Sequence, residues 1–218
     1  MPTRTCCSSR FERNGRRDGY RLIAGIDEVG VGALFGPVLA AAVILDLAKP
    51  IRGIRDSKVL DPGKREALAA KIRQSALGWA IGRVEAAEID QINIYQAGRL
   101  AMRKAVLRLN PSPDLLLIDA RQLDLDIPQI SIIHGDALSV SIAAASILAK
   151  VERDSLMREW DRVFPGYGLA RHKGYSTPDH KRVLRDLGPT PLHRLSYEPV
   201  RAAKQLELIR ELPPDSKM

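Results

Sequence analysis

The sequence predicts an α/β fold in which a mixed five-stranded sheet is flanked by helices and followed by a helical C-terminal portion. Two observations lead to this prediction: three apolar β-like runs come early, and the later strands then alternate with helical segments. That order is typical of a mixed sheet with helices on its faces. The 218 residues are 45% apolar and 28% charged, which is enough apolar material for a globular core.

Five apolar runs supply the predicted strands. They lie at 22–26, 38–45, 79–84, 115–118 and 130–133. Composition and apolar spacing predict helices over 62–76, 88–109 and 139–160, with shorter helices in the C-terminal third. Asn110-Pro111 is expected to end the second of these helices.

Both ends of the chain are predicted to lie outside this fold. Residues 1–19 contain five arginines and no periodic apolar pattern, so we expect a disordered basic tail. Residues 212–218 contain Pro213-Pro214, which stops a helix, and we expect them to be loose. Residues 20–211 are predicted to form one domain, because no linker or internal repeat divides them.

Charge and cysteine content narrow the class of protein. The formal net charge of +8 favours a polyanionic partner, and the 5% aromatic content disfavours a single-strand binder that stacks bases. Duplex nucleic acid is therefore the expected partner. The cysteines are the adjacent Cys6 and Cys7, so no disulfide framework is expected. With no membrane-length apolar run and no secretory signal, we predict a monomeric cytoplasmic protein that has no membrane contact.

Carboxylates follow three of the predicted strands. Asp27-Glu28 and Asp119 end two apolar runs, and Asp136 follows a third. If the first two strands are parallel neighbours, their acids meet at one edge of the sheet, where a cation would relieve their repulsion. Oxygen ligands without a Cys or His cluster indicate Mg²⁺ or Mn²⁺, and two such ions suit phosphodiester hydrolysis. A single acid of this kind is more often a solvated loop residue, so the pattern alone leaves nuclease activity a hypothesis.

The glycine-rich segment 30–36 allows a second interpretation, a dinucleotide-binding loop. Such a loop needs a helix directly after its glycines, whereas Pro37 and a β-like run follow here. The sequence therefore disfavours a dinucleotide cofactor. The N–H groups of the glycine turn can still contact a phosphate or a sugar.

Nine short motifs together resemble the type 2 ribonucleases H, the ribonuclease HII family, from about Ile23 to Val200. In order they are AGIDEVG at 24–30, FGPV at 35–38, DSK at 56–58, LID at 117–119, GD at 135–136, SIAAASILAKV at 141–151, HKGY at 172–175, TPLHR at 190–194 and SYEPV at 196–200. Each motif is moderate evidence by itself. Their shared order and spacing make the match specific.

The resemblance implies a ribonuclease H-like fold and a metal-dependent endoribonuclease. Its expected substrates are the RNA strand of RNA–DNA hybrids and ribonucleotides embedded in duplex DNA, cut on the 5′ side. It implies a catalytic, metal-binding tetrad of Asp27, Glu28, Asp119 and Asp136. It also implies sensing of the ribose 2′-hydroxyl by the turn Gly30-Val31-Gly32 and by Tyr175. The expected phosphate contacts are Lys58, Lys150, Lys173 and Arg194.

The chain departs from the family pattern at the sensing turn. The family usually has Gly-Arg-Gly there, and this chain has Val31 in place of the arginine. His134 stands where a lysine is common, and Phe35 before Gly-Pro is similar to the related type 3 enzymes. These differences leave the predicted metal site intact. They raise the alternative of a family member that binds duplexes with altered or reduced activity.

Two further rivals to the enzyme hypothesis are separable by experiment. A duplex binder without turnover has no use for four clustered acids, which would weaken its binding to nucleic acid. A resolvase or integrase on the same fold would lack the glycine turn and Tyr175. Discrimination against an all-DNA duplex therefore separates a ribonuclease H from those enzymes.

Overall fold

The structure is a computed structural model that describes residues 7–211. Its centre is a five-stranded sheet in the order β3-β2-β1-β4-β5. The strands are β1 Ile23–Val29, β2 Val38–Ile44, β3 Gly78–Val84, β4 Leu115–Asp119 and β5 Gln129–Ile132. The β1–β2 and β2–β3 pairs are antiparallel, whereas β1–β4 and β4–β5 are parallel. The predicted fold class is confirmed.

Helices cover both faces of the sheet and form the C-terminal portion. They are α1 Arg10–Arg17, α2 Pro62–Ser75, α3 Ala86–Ile92, α4 Ile94–Leu107, α5 Gly135–Leu138, α6 Val140–Val163, α7 Leu169–His172, α8 Pro178–Leu187 and α9 Glu198–Glu211, with a 3₁₀ helix at Ser57–Val59. The apolar side of α4 packs on one face of the sheet, and α6 packs on the other. Within residues 7–211, no helix combines the length and the apolarity needed to cross a membrane.

Small residues bring α6 very close to β1. A Cβ atom added to Gly25 would lie 2.0 Å from the carbonyl carbon of Ser141, so only glycine fits at this crossing. Ala143 and Ala144 continue the buried surface of the helix beside it. The close approach matters for function, because α6 supplies several side chains near the carboxyl ends of β1 and β4.

The predicted helix over 88–109 is interrupted. Asn93 has φ of 67° and separates α3 from α4, and its side-chain oxygen accepts a hydrogen bond from the N–H of Gln96 at 3.1 Å. Asparagine tolerates the left-handed conformation and is a strong helix N-cap. The apolar spacing continues across the break, which is why periodicity alone predicted one helix.

The prediction of a disordered tail over residues 1–19 is wrong for the part that the structure describes. Residues 10–17 form α1, in which Glu12 and Gly15 are buried. Phe11 packs against a cluster that includes Ile23 and Leu115. One aromatic residue among arginines gives no periodic apolar pattern, so the sequence did not reveal the docking. The predictions for residues 1–6 and 212–218 fall outside the described residues.

Candidate active site

The predicted acids occupy the ends of neighbouring elements. Asp27 and Glu28 lie within β1, which continues to Val29, so they do not follow the strand as predicted. Asp119 is the last residue of β4, and Asp136 lies in the first turn of α5. Because β1 and β4 are parallel neighbours, as the acid pattern required, their carboxylates share one edge of the sheet.

Burial makes this acidic cluster costly when it is fully ionised. Asp27 is 5% exposed, and its pKa is raised well above the usual value by burial and then by the charge of Glu28. The charges of Asp119 and Asp136 act in the same direction, and a hydrogen bond from Ser146 opposes them. Burial is also the main cause that raises the pKa values of Glu28 and Asp119. A bound cation would relieve this repulsion.

Two cationic side chains pair with members of the cluster. Arg121 donates through Nε and Nη2 to Oε1 of Glu28, at 3.1 and 2.9 Å. Lys58 Nζ lies 2.8 Å from Oδ2 of Asp136. The second oxygen of Glu28, Oε2, is buried without a hydrogen-bond partner. A buried carboxylate oxygen without a hydrogen-bond partner is a suitable ligand for a divalent cation.

The chemistry of these four side chains fits a hard divalent cation, although their arrangement does not form a complete coordination site. All four groups are carboxylates, the ligand type that Mg²⁺ and Mn²⁺ prefer. Among residues 7–211, no three His, Cys, Asp or Glu side chains already stand in an arrangement that could hold a metal ion. Glu28 and Asp136 are paired instead with the cationic side chains of Arg121 and Lys58.

The glycine turn lies directly against a buried arginine. Gly30 has φ of 90°, and a Cβ atom there would meet Nε of Arg153 at 2.3 Å. Arg153 donates to the carbonyl oxygens of Phe35 at 2.9 Å and Lys173 at 2.7 Å. The Tyr175 ring lies over its guanidinium, 5.2 Å from centroid to Cζ. Arg153 therefore joins the segment after the turn to the segment that carries Tyr175.

Arg194, a predicted phosphate contact, does not line the cleft that holds the acids. It is fully buried, and it donates to the carbonyl oxygens of Gly36 at 2.9 Å and Val31 at 3.0 Å. Its Nη1 also donates to the Tyr197 hydroxyl at 3.1 Å, whereas its Nη2 is buried without a hydrogen-bond partner. The predicted phosphate contact stays a prediction, and the contacts that the structure shows make Arg194 a support beneath the turn.

One cleft of about 280 Å³ brings most of the predicted site residues together. Its lining is Asp27, Glu28, Val29, Gly30, Val31, Gly32, Ser57, Lys58, Asp119, Ser146, Lys150 and Tyr175. Asp136 is outside this lining and is joined to it through Lys58. Lys173 is also outside and donates to the carbonyl oxygen of Ala170. A larger cleft of about 590 Å³ beside α4 contains a single acid, Asp124, so its size does not make it the better candidate.

Sequence reasoning missed three histidines that brace Tyr175. The His180 ring nitrogen Nδ1 lies 3.0 Å from the carbonyl oxygen of Tyr175, and its Nε2 lies 3.1 Å from Nε2 of His193. His172 stacks on His180 at 4.3 Å. Burial lowers the pKa of His180 to about 4 and that of His193 to about 3, so both are neutral at pH 7. His172 and His193 stand in the motifs HKGY and TPLHR, and membership of these motifs is the one sequence feature that could have identified them.

Comparison with known proteins gives one consistent family. A family model described as Ribonuclease HII matches residues 24–200. A ribonuclease HII of Solibacter usitatus is 59% identical over 202 residues, which are 93% of this chain and 89% of that protein. A ribonuclease HII of Koribacter versatilis is 58% identical over 89% of this chain and 76% of its own. The crystal structure of ribonuclease H2 from Pyrococcus horikoshii is similar with a TM-score of 0.74 and 25% identity, covering 88% of this chain and all of that one.

Proposed function

The chain belongs to the ribonuclease HII family, and we propose that it cuts both the RNA strand of RNA–DNA hybrids and single ribonucleotides in duplex DNA. Family membership makes the protein a ribonuclease H, a metal-dependent endoribonuclease. The finer proposal is hydrolysis on the 5′ side of a ribonucleotide, which leaves a 3′-hydroxyl and a 5′-phosphate. Two divalent cations bound by the acids would assist this reaction.

One observation carries the proposal: three of the four acids, Asp27, Glu28 and Asp119, line the same cleft as the glycine turn and Tyr175. The turn 30–32 and Tyr175 share this cleft of about 280 Å³ with those acids, so one bound nucleotide is expected to contact both groups. A 2′-hydroxyl is what distinguishes RNA from DNA at a given position. Substrate selection and phosphodiester cleavage therefore act on the same nucleotide.

The residues that would hold the cations are Asp27, Glu28, Asp119 and Asp136. When bound there, Mg²⁺ or Mn²⁺ supplies positive charge for activating the attacking water and stabilising the leaving 3′ oxygen. The protein's own groups orient the strand. Lys58 and Lys150 face the cleft as phosphate contacts, and the Tyr175 ring packs against a sugar.

The test compares three duplexes of one sequence: an RNA–DNA hybrid, a DNA duplex with a single ribonucleotide, and an all-DNA duplex. We expect cleavage of the first two with Mg²⁺ or Mn²⁺, none in the presence of a chelator, and none of the all-DNA duplex. Sequencing gels that map the cut and phosphatase treatment of the product ends identify the 5′ side. Cleavage of the all-DNA duplex at a similar rate would overturn the proposal.

Replacing Tyr175 is expected to slow cleavage moderately when the new residue is Phe and severely when it is Ala. Tyr175→Phe loses one hydrogen bond of about 1 kcal/mol, which is roughly fivefold in rate. Tyr175→Ala also loses the ring that packs over Arg153 and is expected to be severely impaired, most strongly on the single-ribonucleotide duplex. Steady-state rates on both substrates measure the effect, and Tyr20→Phe, a tyrosine outside the cleft, is the control. Wild-type rates for Tyr175→Ala would contradict the sensing role.

Val31→Arg is expected to improve cleavage at a single ribonucleotide more than cleavage of a hybrid. The Val31 carbonyl is held by Arg194 and by the Tyr197 hydroxyl, at 3.0 and 2.7 Å, so its backbone position does not depend on the side chain. A new arginine can clamp a phosphate for about 1–3 kcal/mol, whereas a hybrid offers other registers for productive binding.

The competing outcome for Val31→Arg has its own structural basis. The valine side chain is partly buried and packs against the core cluster that includes Ala24 and Ile26. If that packing dominates, the variant loses activity on both substrates equally and melts at a lower temperature. Rates on the two duplexes, read beside the melting temperature, separate the two accounts.

A further inference from the structure

Two lysines reach the cleft from different elements. Lys58 lies on the 3₁₀ helix Ser57–Val59, and Lys150 lies on α6. The Lys58 side chain is 75% exposed and that of Lys150 is 20% exposed. A lysine carries its charge on a flexible four-carbon stem, so the place of the charge depends on what fixes the backbone and its neighbours.

Arg65 fixes the backbone on both sides of Lys58. It lies on α2, and its guanidinium is almost entirely buried against the 56–60 loop. Nε donates to the carbonyl oxygen of Ser57 at 3.0 Å, and Nη2 donates to that of Leu60 at 2.9 Å. A 3₁₀ helix of three residues has little hydrogen bonding of its own, so these two bonds largely determine where it lies.

Asp154 joins this arginine to the other lysine. Its Oδ2 accepts from Nη1 of Arg65 at 3.3 Å, and its Oδ1 accepts from Nζ of Lys150 at 2.7 Å. Asp154 is buried on α6, one turn after Lys150. A single carboxylate thus connects the loop that carries Lys58 to the helix that carries Lys150.

We infer that Arg65 and Asp154 form a positioning pair that holds Lys58 and Lys150 where both contact phosphates of the bound strand. The inference rests on the proposed function. Neither member of the pair lines the cleft, so neither touches the substrate, and each acts through a lysine. Ser57 strengthens the link, because its hydroxyl lies 2.9 Å from that of Ser146 on α6. The two lysines are therefore set on one framework rather than placed independently.

The test compares Arg65→Met with a matched control, Arg73→Met. Arg73 also lies on α2 and also pairs with an acid of α6, Glu152 at 3.0 Å, but it does not reach the 56–60 loop. We expect Arg65→Met to lower kcat/KM by about tenfold, mainly through KM, as expected for a lost charge-assisted contact. Arg73→Met should retain the wild-type value. Rates are measured well below the melting temperature of each variant.

Salt dependence supplies a readout that a merely structural role would not change. A lysine that contacts one phosphate contributes about 0.9 to the slope of log affinity against log salt concentration. Arg65→Met is expected to reduce this slope as much as Lys58→Ala does, although Arg65 does not line the cleft and its side chain is only 11% exposed. The loss in the double variant should be much smaller than the product of the two single losses, because the arginine acts in large part through Lys58 and only its link to Lys150 remains to be lost.

Three results would overturn the inference. The first is a lower melting temperature for Arg65→Met with wild-type kcat/KM and salt slope. The second is a double variant whose loss of affinity equals the product of the losses in Arg65→Met and in Lys58→Ala. The third is the same loss in Arg73→Met. If Arg65→Met does not fold, Arg65→Lys replaces it; it keeps the charge beside Asp154, loses the forked contacts to the loop, and should show a smaller loss of the same kind.

Failure of the inference is distinguishable from failure of the proposed function. Fluorescence anisotropy measures the binding of an RNA–DNA hybrid in the presence of a chelator, where no cleavage occurs. Repeating it at several salt concentrations gives the slope of log affinity against log salt concentration. A wild-type protein that cuts no ribonucleotide-containing duplex would contradict the proposed function. The slopes of Arg65→Met and Lys58→Ala would still show whether the arginine positions the lysine.

Discussion

The Asp27→Asn protein is expected to lose cleavage and yet to be more stable than the wild type when no divalent metal is present. Loss of a group that organises charge in the transition state costs on the order of 10²–10³-fold in rate. Asparagine keeps an oxygen that can accept the 2.8 Å hydrogen bond from the N–H of Glu28. The fold should therefore tolerate the change while the metal site does not.

The stability gain follows from the raised pKa of Asp27. Because burial and Glu28 raise that pKa in the folded state, the unfolded carboxyl ionises at a lower pH than the folded one. Below the unfolded pKa, about 4, both states are protonated and the penalty is absent. As pH rises above that value, ionisation increasingly favours the unfolded state. Asparagine does not ionise, so its advantage should be small near pH 4 and larger at pH 7.5.

Melting temperatures in a chelator at these two pH values, together with a cleavage assay, check the prediction. Asp119→Asn should behave similarly, with a smaller stability gain because Asp119 is less buried. Asp18→Asn, at an exposed position after α1, is the control. Added Mg²⁺ should raise the melting temperature of the wild type more than that of Asp27→Asn. Near wild-type cleavage by Asp27→Asn or Asp119→Asn would contradict the tetrad assignment.

The location of the acids could be predicted because it depends on short-range pattern and sheet topology. Apolar runs that lead into Asp27 and Asp119 predicted two strands, and the parallel pairing of β1 and β4 then places both acids at one edge. Tyr175 and the glycine turn were identified by resemblance. Their meeting in one cleft depends on tertiary contacts between Arg153 and distant backbone carbonyls.

The roles of the cationic residues could not be predicted in the same way. Lys58 and Arg194 both stand in recognised motifs, and the resemblance predicts a phosphate contact for each. The first is exposed at the cleft, whereas the second is buried beneath the turn. An arginine can satisfy its charge with backbone carbonyls from remote segments, and no local pattern records which carbonyls will surround it. The roles of Arg65 and Arg153 could not be predicted for the same reason, because both also bond backbone carbonyls of other segments.

The packing of the N-terminal helix α1 likewise could not be predicted from the sequence, because it depends on a tertiary contact. Glu12 lies among arginines, which is typical of a solvated segment, yet it is 1% exposed. Its Oε1 accepts from the Ser139 hydroxyl at 2.6 Å and from the N–H of Ser141 at 2.9 Å. Ser139 is the N-cap of α6, so Glu12 supports the start of the helix that carries Lys150. The contact spans more than 120 positions and has no local signature.

Glu12→Ala is therefore expected to lower the free energy of unfolding by about 2–4 kcal/mol, because it leaves two buried donors without their charged acceptor. Glu12→Gln keeps an acceptor oxygen and should lose less. Arg13→Ala changes the next residue, which is exposed, and should stay within about 0.5 kcal/mol of the wild type. Urea unfolding followed by circular dichroism measures all three. If Glu12→Ala were as stable as Arg13→Ala, the contact between α1 and the start of α6 would contribute little to the stability of the fold.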